Sequence, residues 1–160
     1  MKKLLVVAVL LLIISSLSFG QTTGNATVTA TVQATLSIIK TNDLALGNVQ
    51  RGGTATVLST DPGAAAFTIS GTASSQVTTT LSALADLTSN GHNMPFTLQT
   101  PIYNTSNTQT GASAFGAAPY IASTNVDGNL WVWFGGSVTA SAGQAAGTYS
   151  GTITVSVTQP

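Results

Sequence analysis

Residues 26–38 alternate without interruption between a small or apolar residue and a polar one. Ala26, Val28, Ala30, Val32, Ala34, Leu36 and Ile38 form one set; Thr27, Thr29, Thr31, Gln33, Thr35 and Ser37 form the other. Side chains along a β-strand point to opposite faces with period two, so this stretch has one dry face and one wet face. A typical strand is about 5–6 residues long; this run is more than twice that. Such a strand either opens the chain's own β-sandwich or is offered to another molecule. On the sequence alone both readings stand.

The residues ahead of this run favour export. Lys2 and Lys3 form a basic start, residues 4–14 are apolar, and Ser18 and Gly20 are small residues suited to cleavage. This pattern predicts a signal peptide over residues 1–20 and a mature chain beginning near Gln21. The expected route is through the periplasm to the cell surface or the medium. The apolar stretch falls short of the roughly 20 residues a spanning helix needs. No later segment is longer and apolar, so the mature chain is expected not to span a membrane. The chain has no cysteine, which excludes disulfides and a lipid anchor on a cysteine. A chain of about 140 residues buries roughly two thirds of its surface without them.

Beyond the signal segment the charged residues are Lys40, Arg51, Asp43, Asp61, Asp86 and Asp127, two positive and four negative. A soluble domain usually carries about a quarter charged residues. A nucleic-acid partner is not expected, because two cations cannot neutralise a run of phosphates. Thr, Ser, Asn and Gln supply the wet surface instead. Low charge with high β-propensity leaves strand edges without the lysines that blunt them, which favours strand-to-strand association.

No helical period of useful length follows the signal segment. Strands are predicted over residues 26–39, 44–49, 54–58, 65–70, 77–84 and 96–99, punctuated by turn residues. Asn90-Gly91 and Asp127-Gly128 are tight-turn signals. Residues 100–125 read as a long excursion with one or two weak strands. Residues 130–140 read as a strand pair or one bulged strand, broken at Gly135-Gly136. Residues 148–158 close the chain, with Tyr149, Gly151, Ile153, Val155 and Val157 on one face. Short strands, regular turns and no helices predict an all-β, immunoglobulin-like antiparallel β-sandwich. The expected layout is a signal peptide (1–20), an N-terminal extension or first strand (21–34) and one sandwich domain (35–160). A sandwich whose last strand ends the chain has no successor on that strand's outer edge. The N-terminal run offers a strand, and this edge needs one.

Two blocks carry a resemblance. Residues 39–49, Ile-Lys-Thr-Asn-Asp-Leu-Ala-Leu-Gly-Asn-Val, resemble the opening of an uncharacterised bacterial family of exported β-domains, a domain of unknown function. Residues 134–140 and 143–157, with Gly135-Gly136, Tyr149 and Gly151-Thr152, resemble its ending. The family's members resemble fimbrial subunits assembled by the chaperone–usher route. The resemblance implies a sandwich lacking one strand, completed by the N-terminal extension of the next subunit. Ala26, Val28, Ala30 and Val32 would then be the donor-strand residues; Tyr149, Ile153, Val155 and Val157 would form the accepting terminal strand. It also implies self-association into a homopolymer, with a periplasmic chaperone and an outer-membrane usher as partners. Fimbrial subunits usually end with an aromatic residue at the penultimate position; here Gln159 stands there.

Chemistry for catalysis is sparse, and no enzyme activity, cofactor or metal is expected. His92 is the only histidine and sits in a turn. No Gly-x-Ser-x-Gly elbow lies on a strand-to-helix turn. The four aspartates are scattered, without the spacing of a calcium loop, and the chain has no glutamate to pair with them for glycoside hydrolysis. Asn25-Ala26-Thr27 and Asn104-Thr105-Ser106 match the glycosylation acceptor pattern, which recurs by chance in a Thr/Ser-rich chain. Trp131 and Trp133 share one strand face, with Val132 and Phe134 on the other. Either one pair fills the core while the other packs under a loop, or the tryptophans form a platform for a ligand, joined by Tyr103 and Tyr120. The leading expectation is a non-enzymatic surface-fibre subunit that polymerises by strand exchange. The alternative is a stand-alone secreted or surface adhesive module that binds a glycan or a protein.

Overall fold

The computed structural model describes residues 27–30 and 32–160. Residues Val32–Pro160 form one compact unit. Among the described residues there is no helix, and twelve strands form three antiparallel sheets. They are β1 (Ser37–Asn42), β2 (Thr54–Val57), β3 (Ala65–Ser70), β4 (Gln76–Leu81), β5 (Asp86–Ser89) and β6 (His92–Leu98). They continue with β7 (Ile102–Asn104), β8 (Ser113–Ala114), β9 (Tyr120–Ser123), β10 (Asn129–Phe134), β11 (Gly136–Thr139) and β12 (Val155–Thr158).

The largest sheet runs β1-β3-β10-β7-β8. The other two run β2-β11-β6-β5 and β12-β4-β9. The final segment links these two sheets. Its β12 part pairs with β4, and further back Ser150 and Thr88 of β5 exchange both backbone hydrogen bonds, at 2.9 and 3.1 Å. The result is a β-sandwich, one layer being the large sheet and the other the two smaller sheets.

Two apolar clusters fill the interior. In the first, Ile69, Leu130 and Val132 of the large sheet meet Val77, Ala122 and Phe115, with Leu36, Ile38 and Val157 packed against it. In the second, Leu87, Met94, Phe96, Val138 and Ala140 are buried, and Leu44, Leu46, Val49, Tyr149 and Ile153 pack on them half-covered.

The turn residues act where their chemistry requires. Asn90 and Gly91 both adopt positive φ (47° and 81°) and join β5 to β6 by a two-residue hairpin, with Ser89 opposite His92. Between β10 and β11 the chain crosses from one layer to the other at Gly135. A Cβ there would collide with the Val57 carbonyl oxygen, and the Gly135 N–H donates to the buried Ser59 hydroxyl at 3.0 Å. Only glycine fits so close a backbone approach.

Several expectations differ from the structure. Among the described residues, the predicted strand over 26–39 becomes a ladder from Ser37. Residues 44–49 alternate but form no ladder: the Ala45 N–H donates to the Gly63 carbonyl at 3.0 Å, and Gly63 lies in the turn before β3 rather than on a strand. The excursion over 100–125 is ordered and contains β7, β8 and β9. The closing strand is laddered over Val155–Thr158, with Ser150 as an isolated bridge.

Candidate functional site: an open apolar groove

The two half-covered segments, residues 44–49 and 147–153, face each other across an open groove of ≈ 790 Å³. Leu44, Leu46 and Val49 line one wall, Tyr149 and Ile153 the other, and Leu87, Met94, Phe96 and Phe134 form the floor. Phe134 stacks on Phe67 with ring centroids 5.7 Å apart, which stiffens the floor. Lys40 and Asp43 sit on the rim as an exposed ion pair, 2.6 Å apart. Such an exposed pair contributes little to stability.

Both flanks of the groove are strand edges. β1 pairs with β3 on one side; the final segment pairs with β4 and β5 on one side. Among the described residues neither has a partner strand on its other side. Because Ser150 directs its N–H and C=O to Thr88, the backbone groups of the adjacent Tyr149 and Gly151 point the opposite way, toward the groove. The groove therefore offers hydrogen bonds as well as apolar surface.

The groove ends short of Leu36, Ile38 and Val157, which close the sandwich above it. At that end Leu36 and the Gln159 amide both lie against Gly71. Gln159 accepts from the Thr72 N–H at 2.9 Å and donates to the Thr72 carbonyl at 3.3 Å. Gln159 is thus tied to its own domain.

At the other end a buried carboxamide organises the loop before the final segment. Gln144 donates to the Asn93 carbonyl at 3.0 Å and to the Tyr149 hydroxyl at 2.7 Å. Its oxygen accepts from the Ser141 N–H at 3.4 Å and the Ser141 hydroxyl at 3.3 Å. The Tyr149 hydroxyl in turn donates to the Ala145 carbonyl at 3.0 Å.

The residues singled out by sequence fall into three groups. Tyr149 and Ile153 line the groove, while Val155 and Val157 lie half-buried on β12 beyond it. Of the donor-strand residues, Val28 and Val32 are 92% and 94% exposed and Ala30 is exposed. Ala26 and the expected signal segment 1–20 lie outside the described residues. Trp131 and Trp133 stand on the outer face of the large sheet, opposite Thr68 and Ala66. Trp133 is buried with Ala64 and Ile102, and Ala112 packs on that cluster; Trp131 is half-buried beside it. Tyr103 and Tyr120 do not join them. Both turn inward and pack on the Phe115 ring, with centroids 4.5 and 5.3 Å away. Asn104 spends its amide within its own loop, donating to the Thr108 and Thr110 carbonyls. Sequence reasoning missed the wall formed by residues 44–49, and it missed Gln144, whose only signal was a glutamine inside a small-residue loop.

Among the described residues no group of His, Asp or Glu is placed to hold a metal ion. No helix there is long and apolar enough to cross a membrane. No curated protein and no solved structure matches the chain. One family model does, that of a domain of unknown function, DUF4402, over residues 12–158. With nearly its whole length matched, the chain belongs to the DUF4402 family.

Proposed function

We propose that this chain is a non-enzymatic, exported structural subunit that polymerises by strand exchange, residues 26–34 of one copy filling the groove of the next. The carrying observation is the groove itself, an open cleft with apolar side chains such as Leu44, Leu46, Tyr149 and Ile153 along it, between two strand edges. Inserting a strand there is β-augmentation, in which backbone hydrogen bonds give affinity and alternate side chains enter the cleft. Ala26, Val28, Ala30 and Val32 supply those side chains, each worth on the order of 1–2 kcal/mol when buried. The cost of ordering the segment is subtracted from that sum. Threonines at alternate positions reduce this cost, because β-branched residues are already stiff in extended chain.

On this reading the donor acts on a second copy. From Ala26 to Thr41 there is no Gly, Pro, Asn or Asp to reverse the chain. Leu36 and Ile38 are already committed to their own core. A donor that enters a neighbour makes a head-to-tail contact, which grows as an open fibre. A periplasmic chaperone that lends a strand to the same groove, and an outer-membrane usher, belong to this reading.

The test uses the full mature chain and the double substitution Val28→Asp/Val32→Asp, run on unheated SDS gels and by size exclusion. The expected result is SDS-resistant ladders for the parent and a monomer of unchanged fold for the variant. A monomeric parent whose N-terminal residues resist proteolysis would replace this reading with the stand-alone binding module.

A further inference from the structure

Four polar side chains are buried among the described residues: Ser59, Thr79, Thr124 and Gln144. Ser59 and Thr124 bond backbone groups at the Gly135 crossing and at the loop between β3 and β4. The Thr79 hydroxyl has no hydrogen-bond partner in the structure. Gln144 differs, because it bonds a side chain that lines the groove. Resting on the strand-exchange reading, we infer that Gln144 is a positioning residue for assembly, holding Tyr149 as the fixed first rung of the acceptor strand.

The carboxamide joins three parts of the chain: Asn93 on β6, Ser141 after β11, and Tyr149 at the start of the final segment. All of its hydrogen-bonding capacity that geometry allows is used. The Tyr149 hydroxyl is held from both sides, by Gln144 Nε2 and by the Ala145 carbonyl. Swinging the ring across the groove, or out to solvent, would leave Gln144 with an unpaired donor in a buried place. The ring therefore stays on its wall and the groove stays open. The same anchor fixes the Tyr149 N–H and C=O, which point toward the incoming strand. A surface set in its bound shape beforehand binds without a further ordering cost. The partner it fits is an extended, uncharged segment with small side chains, as residues 26–34 of a second copy provide.

The experiment compares the full mature chain with Gln144→Ala, Tyr149→Phe and the double variant. Assembly is followed as the rate of ladder formation. Stability is followed as the thermal midpoint, measured in the Val28→Asp/Val32→Asp background so that assembly does not contribute. Tyr149→Phe keeps the ring and removes only the tie, so it folds even if Gln144→Ala does not. Each single variant is expected to slow assembly about tenfold, the weight of one lost hydrogen bond. The double variant is expected to be no slower than either single one, because Gln144 acts through Tyr149. Additive losses that track falling midpoints would make Gln144 a merely structural residue and overturn the inference. So would assembly within about twofold of the parent for both variants. If the parent chain itself forms no ladder, the strand-exchange reading falls, and this inference with it.

Discussion

Strand β10 and the final segment carry the same inward alternation and end at different depths. On β10, Leu130, Val132 and Phe134 are at most 3% exposed. On the final segment, Tyr149, Ile153, Val155 and Val157 are all half-buried. Composition does not separate them, since both inward sets are large and apolar. Neighbours do. β10 lies between β3 and β7, while the final segment is flanked on one side. Alternation tells which face turns inward; the number of flanking strands decides how far water is excluded.

The comparison is broken most severely at β10. Leu130→Ala removes a fully buried side chain from a paired strand and leaves a cavity. It is expected to cost about 2–5 kcal/mol and to lower the thermal midpoint by roughly 10 °C or more. Differential scanning calorimetry in the Val28→Asp/Val32→Asp background measures this directly. A loss below about 1 kcal/mol would mean that the first cluster relaxes around the gap.

Ile153→Ala is the matched change on the groove side. The side chain is half-exposed in the single subunit, so the expected cost to the monomer is about 1 kcal/mol. Its effect on assembly is expected to exceed its effect on folding, because strand insertion completes the burial. Ladder stability to heating in SDS reports the first, calorimetry the second. Equal effects on both would mean that nothing more covers Ile153 after assembly than before.

The same contrast explains what was legible in the sequence. Alternation located the inward face of the final segment, while β10, apolar on both faces, left its inward pair open; Asn90-Gly91 and Gly135-Gly136 fell where chain reversal and layer crossing demand them. One wall of the groove was legible in the alternation of residues 149–157. Its second wall was not. Residues 44–49 alternate like a strand, but a strand exists only when another strand pairs with it, and pairing is a long-range property. Pro95 hid the first half of β6, since proline argues against a strand. In the fold the β11 ladder takes only Phe96–Leu98, and Pro95 falls beyond it. Tyr103 and Tyr120 lie on the short strands β7 and β9, whose faces depend on tertiary packing that their local sequence does not encode.

The smallest expected effect concerns charge. The run 26–39 carries no charged residue, and the groove rim carries one balanced pair, Lys40 and Asp43. Electrostatic steering raises association rates when opposite potentials face each other. The donor run is neutral and the rim pair balanced, so on the strand-exchange reading assembly would depend on backbone pairing and apolar burial. Ladder formation is expected to change by less than about twofold between low salt and roughly 0.5 M salt, where the Debye length drops to a few Å. Lys40→Ala is expected to alter stability by no more than about 0.5 kcal/mol, as an exposed pair does. Assembly that slowed tenfold with salt would point to a charged partner surface, and a neutral donor strand would then not be what the groove receives.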